Sequence, residues 1–85
     1  MKIYTPKNNE IRNRVVKEVG GTKEFDYMCN ANEYELLREL SEEEFNSLNI
    51  HSSEHEIGNI LIYESGEAYI LDGLGYFRIK FELLN

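Results

Sequence analysis

Cysteine, proline and tryptophan are scarce in this 85-residue chain, which has one Cys, one Pro and no Trp. The single thiol, Cys29, excludes an intramolecular disulfide and fits a reducing compartment. Long apolar runs are missing too. The longest, Ile60–Tyr63, is far short of the roughly 20 residues that a bilayer-crossing helix needs. No apolar stretch follows the early Lys2, so neither a secretory signal nor an Arg-rich transit peptide is expected, and the expectation is a soluble, cytoplasmic protein with no membrane partner. Positive charge is the remaining deficit: nine Lys and Arg stand against sixteen Asp and Glu, a net charge of −7. Phosphate binding needs clustered cations, so direct binding to DNA, RNA or anionic lipid is disfavoured.

Apolar and cysteine residues make up 41% of the chain and charged residues 29%, values of an ordinary globular protein rather than a disordered one. The length suits one domain over residues 1–85. Charge is unevenly placed along it. Residues 1–29 hold six Lys or Arg and four acids, for +2; residues 30–56 hold one Arg and eight Glu, for −7; residues 57–85 hold two cations and four acids, for −2. The middle third therefore accounts for the whole net charge.

A short strand is expected around Lys2 to Tyr4. Thr5 as N-cap, Pro6 in the first turn and a Gly20-Gly21 stop then predict a helix from Pro6 to Val19, with Ile11, Val15, Val16 and Val19 along one side. The stretch containing Phe25 and Tyr27 alternates weakly and reads as a strand or an extended connector. Asn30 with Glu33, Asn32 with Glu35, and Ser41 with Glu44 offer successive capping boxes. They predict two short helices, or one kinked helix, through Asn30–Leu48. On that helix Tyr34, Leu36, Leu37, Leu40, Phe45 and Leu48 share an apolar arc, and Glu35, Glu39, Glu42 and Glu43 the opposite one.

The last third reads as three strands joined by two-residue loops at Ser65-Gly66 and Gly73-Leu74. In that register Arg78 opposes Tyr69 and Lys80 opposes Glu67. Leu61, Ile70 and Phe77 form one core-facing row and Tyr63, Ala68 and Ile79 the next; Ile60 and Ile62 fall on the other face with Tyr69, Leu71 and Tyr76. The fold class expected is α+β: a C-terminal three-stranded antiparallel meander, with the N-terminal strand as a candidate extension, packed on one face by two or three short helices.

No catalytic motif withstands inspection. His51-Ser-Ser-Glu-His55 matches the H-x-x-E-H pattern of inverted zinc peptidases, but that site needs a regular helix, a further ligand and a second subdomain. No histidine follows His55, so no metal is assigned. Cys29 has Asp26 nearby and no feature that would lower its pKa, so a structural role is expected. Gly73 and Gly75 precede a strand and not a helix, which makes them hairpin punctuation and not a phosphate loop. The expectation is therefore a non-enzyme without cofactor.

The glutamates have two readings: a solvated helix face, or an anionic ridge that fits a basic groove on a protein partner. Carboxylates at i and i+4 on a helix are roughly 6 Å apart, similar in scale to successive phosphates. Candidate partner-binding residues are Glu35, Glu39, Glu42 and Glu43, with Tyr34, Tyr63, Tyr69 and Tyr76 as buried anchors. In size, acidity and lack of catalytic motifs the chain resembles small phage-encoded inhibitors, the class that includes anti-CRISPR and anti-restriction proteins. That resemblance implies stoichiometric blockade of a nucleic-acid-handling enzyme. The alternatives are an immunity protein or antitoxin that neutralises a basic toxin, and a self-associating structural or regulatory domain, a homodimer paired through the aromatic sheet face or an edge strand.

Overall fold

A computed structural model describes residues 1–21, 27–73 and 75–82. It is a mixed α/β structure. Strands β1 (Lys2–Pro6), β2 (Met28–Asn30), β3 (Tyr34–Glu39), β4 (Ile60–Ile62), β5 (Ala68–Asp72) and β6 (Gly75–Glu82) form one six-stranded sheet in the order β2-β6-β5-β4-β1-β3. Helices α1 (Asn9–Gly21) and α2 (Glu42–Asn46) complete it. All neighbours are antiparallel except β2 and β6, which run parallel.

The two outermost strands, β2 and β3, are consecutive in the chain and joined only by the 3-10 turn Ala31–Glu33. Six strands laid flat would separate those edges by about 24 Å, whereas three residues reach only about 10 Å. The sheet must curl until its edges approach. Across the resulting concavity the ring of Phe81 on β6 meets Tyr4 on β1 at 4.9 Å and Tyr34 on β3 at 5.6 Å. The Tyr34 hydroxyl donates to Cys29 Sγ on β2 at 3.9 Å. Burial pushes the Cys29 thiol up to about 11, in keeping with the structural role expected of it. Val15 and Val19 of α1 fill the hollow against Ile60, Ile70 and Ile79.

The convex face has its own core. Ile3 and Leu61 are covered by Met1, Leu40, Phe45 and Leu48 on and around α2, with Tyr63 at the margin. Helices therefore pack on both faces of the sheet, not one.

Several local expectations are corrected. The first helix starts at Asn9, and its cap is Asn8, whose Oδ1 accepts from Ile11 N at 2.8 Å. Pro6 ends β1 opposite Tyr34, where its missing N–H costs nothing because the next ladder bond comes from Lys7 N to Glu33 O at 3.0 Å. The segment expected to open a second helix is strand β3. Its Glu, Leu and Arg residues are good helix formers, but pairing with β1 and burial of the Tyr34 ring override that preference. Asn30 does cap, though only the 3-10 turn, through Asn32 N at 2.9 Å. The Ser41–Glu44 box holds in both directions, at 3.0 and 3.1 Å, and starts α2.

In the meander, Arg78 pairs with Tyr69 as expected, while β4 is slipped by one residue: Ile60 pairs with Ile70 and Ile62 with Ala68. The first loop has three residues, not two, with Tyr63 N bonded to Glu67 O at 2.9 Å and Gly66 at φ 92°. That extra residue exchanges the faces of β4. Ile60 and Ile62 join the concave core, and Leu61 and Tyr63 the convex side. Asp72 and Gly75 pair across the second loop, whose Leu74 lies outside the described residues, as does Phe25.

Gly58 shows how tightly the chain is held near α1. It has φ 97°, and an added Cβ would lie 3.0 Å from Arg12 Cγ and 3.3 Å from Val16 Cγ2. Gly66 has a similar φ, but nothing lies within 4 Å of its added Cβ. Gly58→Ala is therefore expected to cost about 2–4 kcal/mol in urea denaturation, and Gly66→Ala about 1 kcal/mol. Equal losses would show that backbone conformation alone sets both.

Candidate functional site

The carboxylates foreseen as one helical ridge are divided by the fold. Glu35 and Glu39 lie on β3 and pair with Thr5 and Lys2, three residues apart on β1, which places them on opposite faces. Glu42 and Glu43 lie on the five-residue helix α2. Tyr34 is buried in the concave core and borders neither cleft described below. Tyr76 is 46% exposed, with its hydroxyl 3.4 Å from His55 Nδ1, and lines neither of these clefts. Burial, then the neighbouring Tyr63, raise its pKa.

Other parts of the prediction do converge. Tyr63, at the end of β4, and Tyr69 on β5 meet edge to face, with centroids 5.6 Å apart at 85°. The Tyr69 hydroxyl donates to Glu67 Oε2 at 2.9 Å, which raises its pKa and keeps it a donor. Glu42, Glu64, Ser65 and Glu67 complete a cleft of about 310 Å³ around the two rings. A groove of about 210 Å³ adjoins it, sharing Tyr63 and Glu64 and adding Met1, Lys2, Glu39 and Ile62. Four predicted residues, Glu39, Glu42, Tyr63 and Tyr69, thus border one surface, joined by Glu64 and Glu67.

Glu64 and Glu67 are not among the partner-binding residues that the sequence singles out, and the structure adds them to this surface. The available signal is a carboxylate on each side of the Ser65-Gly66 turn dipeptide.

Elsewhere three glutamates of the middle segment, Glu33, Glu54 and Glu56, are ion-paired within the chain. Arg14 pairs with Glu33 and, at 3.8 Å, with Glu18. Arg38 pairs with Glu54 at 3.2 Å, and Arg12 with Glu56 at 3.6 Å. Among the described residues, by contrast, no Lys or Arg is ion-paired with Glu39, Glu42, Glu64 or Glu67, although Lys2 shares the groove of Glu39 and Glu64. Four carboxylates without a described ion pair thus border the two tyrosines, with Lys2 in the groove and Arg78 across the strand from Tyr69.

His51 and His55 do not lie on a regular helix, because Ser53–His55 is a single 3-10 turn. The His55 ring packs on Phe45 at 4.8 Å, and Glu54 is engaged by Arg38. Among the described residues no group of three or more His, Cys, Asp or Glu is placed to hold a metal. No described helix is long and apolar enough to cross a membrane.

The loop bearing these residues is fixed by a polar cluster that the sequence does not announce. Asn59 is fully buried and donates through Nδ2 to Ser53 O at 2.8 Å and Glu54 O at 3.3 Å. Arg12 donates to Asn59 Oδ1 at 3.3 Å, to Thr5 Oγ1 at 2.8 Å and to the carbonyl of Ile57. One guanidinium thus ties α1, β1 and the chain entering β4 together.

Compared with protein families, with characterised proteins and with solved structures, the chain matches none of them.

Two carboxylates couple this arrangement to pH. Glu44 is held below the usual carboxylate range by hydrogen bonds from the Ser41 backbone and side chain. Glu54 is lowered first by its own backbone N–H and, against desolvation, by Arg38 and Ser52. A carboxylate with a depressed folded-state pKa contributes stability above the unfolded value of about 4.3, and that contribution fades as pH falls through the lower folded value. The urea midpoint should fall between about pH 6 and about pH 3, and Glu54→Gln should flatten part of that dependence. An unchanged slope in this variant would remove Glu54 from the acid response.

Proposed function

We propose that this chain is a small acidic protein-binding module that acts as a stoichiometric inhibitor of a nucleic-acid-handling enzyme, occupying a basic surface that otherwise holds phosphates. The observation that carries the reading is the group Glu39, Glu42, Glu64 and Glu67, free of intrachain ion pairs among the described residues and gathered around Tyr63 and Tyr69. Unneutralised carboxylates speed encounter with a cationic partner, and the tyrosines supply the area that desolvates on contact. Glu35 and Glu43 line neither cleft and take no part in this reading.

Self-association is the second reading, supported by Leu36 and Leu37, 50% and 39% exposed on edge strand β3. The pairing of β1 with β3 shifts between Ile3 and Tyr4, leaving Leu37 as an extra residue on β3. Such a bulge interrupts the even spacing of donors and acceptors that an added strand needs. The acidic surface is preferred for that reason.

Immobilised protein should capture nucleic-acid-binding proteins that duplex DNA competes off. Replacing Glu39, Glu42, Glu64 and Glu67 with Gln should weaken capture by about 10-fold or more, with Tm changed by only a few degrees because all four are exposed. Undiminished capture by the quadruple variant would defeat the proposal. Loss of capture on Leu36→Lys alone would transfer the interface to β3.

A further inference from the structure

We infer that the cleft between Tyr63 and Tyr69 is a seat for a single arginine side chain of a partner protein. The inference deepens the proposed function and rests on it for the identity of the partner, but the site is argued from its own geometry. Carboxylates alone would describe only a solvated surface; the tyrosine corner gives this one a shape. The rings are nearly perpendicular, 85°, with centroids 5.6 Å apart. In that arrangement a cation about 4 Å above the face of the upright ring is within the roughly 6 Å over which that face attracts it, while the second ring, about 7 Å away, only walls one side. The cleft of about 310 Å³ that both rings line opens at this corner, and its remaining walls are Glu42, Glu64, Ser65 and Glu67.

Each wall has a distinct task. Glu67 holds the Tyr69 hydroxyl at 2.9 Å, which fixes the tilt of that ring. Glu42, from α2, and Glu64, from the loop after β4, approach from separate elements, and neither is ion-paired with a described residue. A guanidinium is flat, so it can lie against one ring and still direct N–H groups in its own plane to the carboxylates. An ammonium is a compact point charge and loses one of those contacts. The chemistry therefore selects arginine over lysine.

The test is an NMR titration of the intact protein, ¹⁵N-labelled, with N-acetyl-arginine methylamide, its lysine counterpart and the uncharged citrulline counterpart. The arginine compound should shift amides around Tyr63, Glu67 and Tyr69, the lysine compound should bind more weakly, and the citrulline compound should leave them unmoved. Tyr69→Leu should weaken arginine binding by about 3- to 10-fold, whereas Tyr69→Phe, which keeps the ring, should retain most of it. If the spectrum shows Tyr69→Leu to be unfolded, the exposed pair Glu42→Gln and Glu64→Gln carries the test and should weaken binding as well. Equal shifts with citrulline, tighter binding of lysine, or undiminished binding by a folded Tyr69→Leu variant would overturn the assignment. The titration contains no partner protein. Its failure therefore leaves the capture experiment standing, and loss of capture with intact arginine binding would reject only the inhibitory reading.

Discussion

Joining the two edges of a sheet through a three-residue turn is the constraint on which the rest of this structure depends. Ala31–Glu33 cannot span a flat six-stranded sheet, so β2 and β3 draw together and the sheet curls. Curling gives the two faces different work. The concave face closes on Tyr4, Tyr34, Phe81 and Cys29 and takes in the valine side of α1. The convex face spreads outward, and α2 covers only the part over Ile3 and Leu61. Tyr63 and Tyr69 stand at the limit of that cover, and for that reason they border clefts instead of lying in a core.

A second, polar constraint operates at the end of the sheet where α1 begins. Arg12, Thr5, Asn59 and the carbonyls of Ser53, Glu54 and Ile57 form one hydrogen-bonded group around Asn59, which has no exposed surface. Buried polar groups are tolerated when they are paired, and removing one member strands the others. This cluster sets where the chain enters β4. It thereby supports the short-range pairing that brings Tyr63 and Glu67 to the two sides of one loop.

Local signals with a single reading were legible in the sequence. The Ser41–Glu44 box is one, and the Tyr69–Arg78 pairing is another. Where two structures compete for the same residues, the pattern misleads. Tyr34-Glu-Leu-Leu-Arg-Glu39 has helix-forming composition and a helical apolar arc, yet it is a strand because β1 needs a second neighbour and Tyr34 is drawn into the concave core. The β4 register turned on whether Glu64 belongs to the strand or to the loop, a difference of one residue that decides the face of every side chain in that strand. The charge imbalance of residues 30–56 was visible, but the pairing of Glu33 and Glu56 with Arg14 and Arg12 was not, since those ion pairs join distant segments. The acidic surface that results keeps Glu39 and Glu42 and gains Glu64 and Glu67 from outside that stretch.

The parallel pairing of β2 with β6 also bears on biosynthesis. A nascent polypeptide elongated only through β5 lacks Phe77, Ile79 and Phe81, which the concave interior needs, and β2 then has no neighbour to join. Tyr4 and Tyr34 therefore gain the Phe81 ring that covers them only once Gly75–Glu82 have been translated. Contacts between such distant parts of a chain form slowly, so closure of this interior follows the arrival of β6 and does not proceed stepwise from the first residues.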